Sequence, residues 1–427
     1  MKKVLLIMVA IMFIASMAYA DERLSLSGQV RAWGWSVKGY GIDDGGEFGA
    51  DPDESADFFA QRFRLAAKIT ASEGVYGHLR FDFAESTWGG DSFNGYRNDT
   101  TNDNSGDMFQ VDRAYLEVDK EKFNVKAGQL LTGLGSWIVV DMQGQGAHFT
   151  YKATDNLGVT ALWLKRDEGD ARTDFEGTDA AGNVVDTEDI DVYALNVAFS
   201  KEDKFSGNFF FATSIDKTAA DDDTQNAIGV QGTAALGKIN LTAELDYLFG
   251  EDKVNDLDYI GTQLYVDLNT NINDSTMAGL RLMYAMGNDD ADKRQLSNLN
   301  RGQGFGDWLP YSFGIYDDGD IDPVFDLFGQ HPMEIGGANS GTMAVALYGE
   351  KVIKEKLALR GLLAYAAPSE DEVTVLDSII NINAGAEYEF AQDTVVQGCV
   401  NYIIPSFDDN SDDDAALGLF AGVRMNF

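Results

Sequence analysis

Apolar and polar residues alternate along most of this chain, in segments of about ten residues. From Ile239 to Tyr247, the odd-numbered residues are all apolar or aromatic and the even-numbered residues are all polar or charged. Successive side chains of a β-strand point to opposite faces of its sheet, so each segment predicts a strand with one apolar and one polar face. The alternation continues to the last residue, Phe427, which favours one large all-β domain over a smaller soluble sandwich.

Eighteen segments of this kind follow one another along the chain. They lie near residues 23–38, 57–70, 74–85, 109–118, 123–131, 146–153, 158–166, 190–200, 205–214, 227–236, 238–249, 258–268, 276–286, 342–350, 357–366, 378–390, 394–404 and 416–427. Their connections are alternately short and long, and the long ones are mostly acidic and rich in Gly, Asn and Asp.

This order predicts a transmembrane antiparallel up-and-down β-barrel with short periplasmic turns and long acidic extracellular loops. The preferred count is eighteen strands, and sixteen is the alternative. The connection 287–341 is long enough to contain a further hairpin, near 308–316. All six prolines lie in the predicted outer loops, as expected of residues that cannot donate to a strand ladder: Pro52, Pro310, Pro323, Pro332, Pro368 and Pro405.

The first twenty residues have the composition of a cleaved signal peptide. Lys2 and Lys3 precede an apolar stretch over 4–15, and Ala18-Tyr19-Ala20 fits the small-x-small cleavage pattern. We therefore expect export from the cytoplasm and a single transmembrane β-barrel domain over 21–427. No second apolar stretch of eighteen residues follows, which predicts that the chain has no transmembrane helix.

Composition narrows the possible functions. A formal net charge of −38 argues against nucleic acid as a partner. The single cysteine, Cys399, excludes an internal disulfide and a cysteine-built metal site. Only three histidines occur and no G-x-S-x-G motif is present, so we predict neither enzymatic activity nor a cofactor.

The last predicted strand, Ala416 to Phe427, is similar to the closing strand of Gram-negative outer-membrane proteins, whose terminal phenylalanine is recognised by the barrel assembly machinery. Phe109 to Val118, followed by Val125 to Gln129, resembles the strand pair that precedes the constriction loop of bacterial porins. The whole chain resembles Gram-negative outer-membrane porins with sixteen to eighteen strands, and is similar in size to solute-specific porins and alginate-export-type barrels.

The resemblance implies a multi-pass barrel in the cell outer membrane, in contact with lipid and lipopolysaccharide and assembled as a homotrimer. The implied function is a water-filled channel for passive diffusion of small polar solutes or ions. Two alternatives remain open: a structural sheath for a partner such as a multihaem electron conduit, and an adhesive surface protein. No maltoporin-like aromatic ladder is visible, so sugar specificity is not implied.

Basic side chains concentrate on the polar faces of the predicted strands and are the candidate pore-lining residues. They are Arg62, Arg64, Lys68, Arg80, Arg113 and Lys126 on strands two to five, with Arg281, Arg360 and Arg424 further round the wall. Carboxylates on the polar faces are Glu244, Asp246, Glu387 and Glu389. A basic wall facing carboxylates across a pore would control selectivity. The alternative is that these charges pair between neighbouring strands.

The connection 132–145 is the least acidic of the outer loops and is apolar enough to fold inward as a constriction. Asp141 would then be the acid of the narrowest section, facing Arg62, Arg80 and Arg113; a short loop at the rim is the alternative. The other outer loops predict an acidic vestibule that concentrates cations and repels anions, which opposes the basic wall and leaves the sign of the net selectivity open. Aromatic residues predicted for the membrane-interface girdles are Trp33, Trp35, Tyr151, Trp163, Tyr247, Tyr388 and Tyr402.

Overall fold

The computed structural model describes residues 23–38, 41–42, 48–49, 55–87, 109–167, 177–178, 184–185, 190–201, 204–217, 223–253, 255–299, 335, 339–407 and 415–427. The predicted signal peptide and the acidic clusters of the first and last outer loops lie outside these residues. Within the described part of the chain, no helix is long and apolar enough to cross a membrane.

Eighteen antiparallel strands form a closed barrel, as the sequence predicts. They are β1 (Leu24–Lys38), β2 (Ser55–Ser72), β3 (Val75–Thr87), β4 (Phe109–Asp119), β5 (Phe123–Leu134), β6 (Val140–Thr154), β7 (Leu157–Asp167), β8 (Ile190–Lys201), β9 (Phe205–Asp216), β10 (Asp223–Leu236), β11 (Ile239–Asp252), β12 (Leu257–Asn273), β13 (Thr276–Ala285), β14 (Thr342–Lys354), β15 (Leu357–Ala367), β16 (Leu376–Ala391), β17 (Thr394–Phe407) and β18 (Ala416–Asn426). Each strand pairs with the next, and β18 pairs with β1.

The barrel closes at its last residue. The backbone N–H of Gly28 donates to the carbonyl oxygen of Phe427 at 2.8 Å, and the N–H of Phe427 donates back to Gly28 at 3.0 Å. The ring of Phe427 stacks on Phe63 of β2, with 6.1 Å between the ring centroids. A Cβ at Gly28 would meet the Phe427 ring and the Arg64 carbonyl oxygen, so only glycine fits at this closing contact.

The outer face of the barrel is apolar and the inner face is polar. On β11, Leu245 and Tyr247 are each 50% exposed, whereas Glu244 and Asp246 on the opposite face are each 1% exposed. Half-exposed Leu, Val, Phe and Tyr side chains recur on the outer face of strand after strand. An apolar band of this extent around a closed barrel is the surface that contacts lipid in membrane barrels.

The long connection after β13 contains a short strand, Lys293–Gln295, which pairs in parallel with residues 258–260 of β12. The next residues turn towards the lumen: Leu296 donates its N–H to the Ile260 carbonyl at 2.8 Å, and Leu299 is buried. The segment 308–316, where a further hairpin was considered, lies outside the described residues. Two-residue strands also pair at 41–42 with 48–49 and at 177–178 with 184–185.

One proline prediction is wrong. Pro405 lies within β17, opposite Ile379 of β16. The pairing of β17 with β18 ends at Ile403, so the missing N–H of Pro405 interrupts no ladder bond on that side. Pro368 follows the end of β15 as predicted, and the other four prolines lie outside the described residues.

The prediction that Trp33 belongs to a membrane-interface girdle is also wrong. It packs against a buried cluster inside the barrel, on the same face of β1 as the buried Gln29 and Arg31. The girdle residues exposed on the outer face, as predicted, are Tyr151, Trp163, Tyr247, Tyr388 and Tyr402. The side chain of Trp35 is outside what the structure describes.

The apolar outer face can be tested by placing a charge on it. Leu245→Arg places a charge on the outer face at mid-strand and should lower the free energy of unfolding by about 2–4 kcal/mol, measured by urea titration in phospholipid vesicles. Thr242→Arg is the matched control, because Thr242 lies on the inner face opposite Asp267. Equal losses for the two variants would contradict the assigned faces.

Candidate functional site

Arginine side chains form a row along the inner wall where the barrel closes. Arg424 of β18 lies in register with Arg31 of β1, and Arg31 lies in register with Arg62 of β2. Neighbouring strands are about 4.8 Å apart, so these three arginines start from adjacent positions of the inner wall. Arg31 and Arg62 are 3% and 1% exposed.

The row continues onto β3 and β4, where carboxylates hold it. Arg64 makes a bidentate pair with Asp82, at 2.6 and 2.7 Å. Arg80 pairs with Asp112, which also lies 3.3 Å from Arg113 Nε. We call Arg424, Arg31, Arg62, Arg64, Arg80 and Arg113 the arginine row.

A β-bulge brings Asp112 and Arg113 to the same face. Arg80 is opposite Arg113 and Phe81 is opposite Val111, so Asp112 has no partner of its own in the register. An extra residue in one strand lets two consecutive side chains point the same way. Asp112 is therefore turned inward, where it contacts the arginines of β3 and β4.

Arg31 was not among the predicted pore-lining residues. By strand alternation, Arg31 lies on the same face of β1 as Trp33 and Trp35, so the prediction that these tryptophans face lipid would also turn Arg31 outward. The polar Gln29 on the same face, 8% exposed in the structure, was the available sign of the true orientation.

Towards the periplasmic turns, the predicted lysines lie over aromatic rings on the same wall. Lys68 Nζ is 4.0 Å from the centroid of the Tyr76 ring, and Lys126 Nζ is 6.0 Å from that of Tyr115. His78 stacks on Tyr115 with 4.6 Å between centroids and lies 2.8 Å from Glu117. These contacts extend the basic wall below the arginine row.

Arg281 and Arg360 lie elsewhere, within ion pairs of the wall. Arg281 is 2.7 Å from Asp267, and Arg360 is 2.8 Å from Glu350 and 3.4 Å from Glu387. For these two arginines, as for Arg64 and Arg80, the cross-strand pairing foreseen as the alternative is what the structure shows. Among the described residues, no group of His, Cys, Asp or Glu is placed to hold a metal ion.

A hairpin of 130–144 leaves the barrel wall and enters the lumen; we call it the constriction hairpin. The pairing of β4 with β5 stops at Gln129, and that of β6 with β7 starts at Gln145. Between these points β5 and β6 pair only with each other, from Leu130 with Gly144 to Leu134 with Val140.

Glycines mark the point where the constriction hairpin bends inward. Gly128 and Gly146 lie opposite each other in the register. Gly128 has φ 135°, and a Cβ there would meet the Ala114 carbonyl oxygen. A Cβ at Gly146 would meet the carbonyl oxygen of Trp163 on β7. Side chains at these positions would collide with the neighbouring strands, so glycine permits the close approach.

The predicted inward fold of this segment is confirmed, but its boundaries are wrong. A loop was expected over 132–145, whereas the strands extend to Leu134 and from Val140, and the turn is only 135–139. The glycines and Thr132 weaken the alternation here, although the backbone pairing continues.

The tip of the constriction hairpin contacts the far wall. The N–H of Ser136 donates to the carboxylate of Glu244 on β11, and the Val139 carbonyl accepts from Leu299 N–H at 3.1 Å. Gly135, with φ 60°, lies against the same carboxylate. Glu244 and Asp246 therefore lie buried beneath the hairpin tip instead of lining an open pore.

The two faces of the constriction hairpin differ. Leu130, Leu134, Val140 and Met142 are at most 7% exposed and belong to one buried cluster with residues of β7 to β12. By strand alternation Asp141 and Gln143 share the other face. Gln143 donates its side-chain N–H to the Asp112 carbonyl oxygen, so this face is turned towards the arginine row.

Comparisons with known proteins identify the fold. No protein-family model and no curated protein matches the sequence. Among solved structures, the chain is similar to OccK9 (OpdG) of Pseudomonas aeruginosa, with 12% identity, TM-score 0.58 and 95% and 99% of the two chains covered. OccAB3 of Acinetobacter baumannii is 12% identical, with a TM-score of 0.56 and coverage of 96% of this chain and 99% of that one. OccK2 (OpdF) of P. aeruginosa is 11% identical, with a TM-score of 0.56 and coverage of 95% of this chain and 98% of that one. These neighbours are outer-membrane porins, and the chain has their eighteen-stranded fold.

The contact of Ser136 with Glu244 predicts how firmly the hairpin tip is held. Glu244→Ala removes a charge-assisted hydrogen bond of about 1.5–3 kcal/mol, so the turn 135–139 should open about ten- to a hundredfold more often. Hydrogen–deuterium exchange of this turn, followed by mass spectrometry, measures the change. Glu387→Ala, also on the inner wall, should leave the exchange unaltered; an unaltered rate in Glu244→Ala would show that Glu244 does not hold the tip.

Proposed function

We propose that the protein is an outer-membrane channel for passive diffusion of small polar solutes, with a preference for those that carry a carboxylate. The observation that carries the proposal is the arginine row, which lies inside a closed barrel and faces the polar side of the constriction hairpin. No described residue suggests a catalytic role, and the deep burial of the row inside the lumen does not suit an adhesive surface.

Guanidinium chemistry explains the preference for carboxylates. A guanidinium group binds a carboxylate through two parallel N–H···O bonds. Arginines at neighbouring positions concentrate positive charge on one side of the lumen, so a carboxylate is attracted to that side. Conduction needs binding that is strong enough to attract a solute and weak enough to release it.

Asp141 supports selection from the opposite side. It shares the face of the constriction hairpin that is turned towards β4, so an anion passing the hairpin would be repelled from Asp141 and attracted to the arginine row. Arg62, Arg80 and Arg113 would act together with Asp141 in controlling selectivity. Lys68 and Lys126 would extend the attraction towards the periplasm.

One structural neighbour supports the solute class. The OccK2 structure is a complex with glucuronate, a sugar acid. At 11% identity the likeness covers the fold and not the binding residues. It is consistent with the inference that the arginine row favours carboxylates.

The fold also supports a set of partners. The apolar outer band would contact outer-membrane lipid, and the outer rim would contact lipopolysaccharide. The closing strand that ends at Phe427 would be recognised by the barrel assembly machinery. A homotrimer would bury part of the same outer band, and the predicted signal peptide over 1–20 would direct export.

Selectivity can be tested directly. Across a salt gradient in a planar bilayer, the wild-type reversal potential should indicate anion preference, and the Arg31→Gln, Arg62→Gln double variant should move it towards cations. Glucuronate entry in liposome swelling should fall about tenfold, because two fixed positive charges are lost from the lumen wall. Arg360→Gln is the matched control, since Arg360 is held by Glu350 and Glu387 in another part of the wall.

An unchanged reversal potential in the double variant would contradict the role of the arginine row. A folded wild-type barrel without conductance or swelling would contradict the channel itself and favour the sheath alternative. Heat-modifiable electrophoretic mobility shows whether each variant has formed a barrel.

Assembly provides a second test. Phe427→Ser removes the ring that stacks on Phe63 while keeping the backbone bonds to Gly28. We expect several-fold less assembled barrel in outer-membrane fractions, measured by immunoblot. Phe390→Ser is the control, because Phe390 is an exposed outer-face phenylalanine of β16 away from the seam. Equal amounts of assembled barrel for the two variants would contradict a special role of Phe427 in assembly.

A further inference from the structure

A cavity of about 200 Å³ lies between the constriction hairpin and the wall on which it packs. Thr132 to Leu134 bound it on the hairpin side, and residues of β6, β7 and β8 bound it on the wall side. The opposite face of the hairpin carries Gln143, which contacts β4. The cavity is therefore separated from the arginine row by the hairpin itself.

The cavity interrupts an otherwise tight contact. Val140, Met142 and Leu164 are at most 1% exposed, so the hairpin packs closely on the wall around it. Protein interiors rarely leave voids much larger than a water molecule. Here the chain has Thr132 on the hairpin and Ala194 on the wall, where larger apolar side chains would fill the space. The cavity is partly open rather than enclosed, and it has room for several water molecules.

The lining has an apolar side and a hydrogen-bonding side. Leu134, Leu162 and Ala194 supply the apolar side. The hydroxyl groups of Thr150 and Thr160, on the other side, lie 2.9 Å apart.

Two lining residues have unused hydrogen-bonding atoms. Within the described residues, no hydrogen-bonding group reaches His148 Nε2 or Asn196 Oδ1. A buried polar atom without a partner is unfavourable, so a guest that supplies one is favoured. A hydroxyl group can donate to the amide oxygen and can serve either tautomer of the imidazole.

We propose that this cavity binds a small neutral polyol. The C–H groups of a polyol fit the leucine side and its hydroxyl groups fit the threonine, asparagine and histidine side, the mixed lining typical of small-molecule sites. A charged guest would lose its hydration to a lining built of hydroxyl, amide, imidazole and aliphatic groups. The bound polyol would pack between the hairpin and the wall and stabilise the inward position of the hairpin.

The test uses the intact barrel in a detergent without a sugar headgroup, titrated calorimetrically with xylitol and with xylonate, its carboxylate counterpart. We expect saturable one-to-one binding of xylitol and weaker binding of xylonate. Asn196→Leu removes the amide and Ala194→Leu fills the space, and each should weaken xylitol binding about tenfold. Thr242→Val, on the inner face but outside the lining, should bind as the wild type does.

A second measurement keeps binding distinct from folding: xylitol should slow hydrogen–deuterium exchange of residues 135–139 in the wild type but not in Ala194→Leu. Absence of saturable xylitol binding would show that the cavity holds only water and would overturn the proposal. Tighter binding of xylonate would overturn the neutral assignment. Wild-type affinity for xylitol in both Asn196→Leu and Ala194→Leu would show that xylitol binds outside this cavity and would overturn the proposal. Channel conductance is recorded separately, so failure here leaves the carboxylate-channel proposal standing.

Discussion

The structure depends on one requirement: every backbone N–H and C=O that faces hydrocarbon must find its partner within the sheet. A flat sheet leaves two edges unpaired, and only closure removes them. The pairing of β18 with β1, completed by the reciprocal bonds between Gly28 and Phe427, meets the requirement. Irregular backbone is then tolerated only inside, which is where the constriction hairpin and Leu296 to Leu299 are found.

Closure produces a lumen whose two sides differ chemically. The arginine row occupies β18 to β4, and a buried apolar cluster with the constriction hairpin occupies β7 to β12. The hairpin joins these sides: its polar face is turned towards β4, its apolar face packs on the opposite wall, and its tip contacts Glu244. In the proposed channel, a solute would pass along one side of the cross-section, between fixed positive groups and the face that carries Asp141.

The sequence alone predicts the features that depend on the alternation of apolar and polar residues within a strand. It does not predict the contacts that depend on how neighbouring strands align. The strand number and the inner faces of β2 to β5 follow from period-two patterning within each strand. Arg31 was missed because a tryptophan can sit on either face of β1. The bulge at Asp112 and the contact of Ser136 with Glu244, 108 residues apart, arise from how distant strands align. No local pattern contains that information.

The closing seam has a consequence for when the arginine row forms. The register of β18 with β1 places Arg424 beside Arg31, and that of β1 with β2 places Arg31 beside Arg62. Half of the arginine row thus spans the junction between the two ends of the chain. An incomplete sheet would carry Arg424 and Arg31 on opposite free edges, far apart. The row exists only after β18 and β1 have paired, so this positively charged wall is created by the same event that closes the barrel.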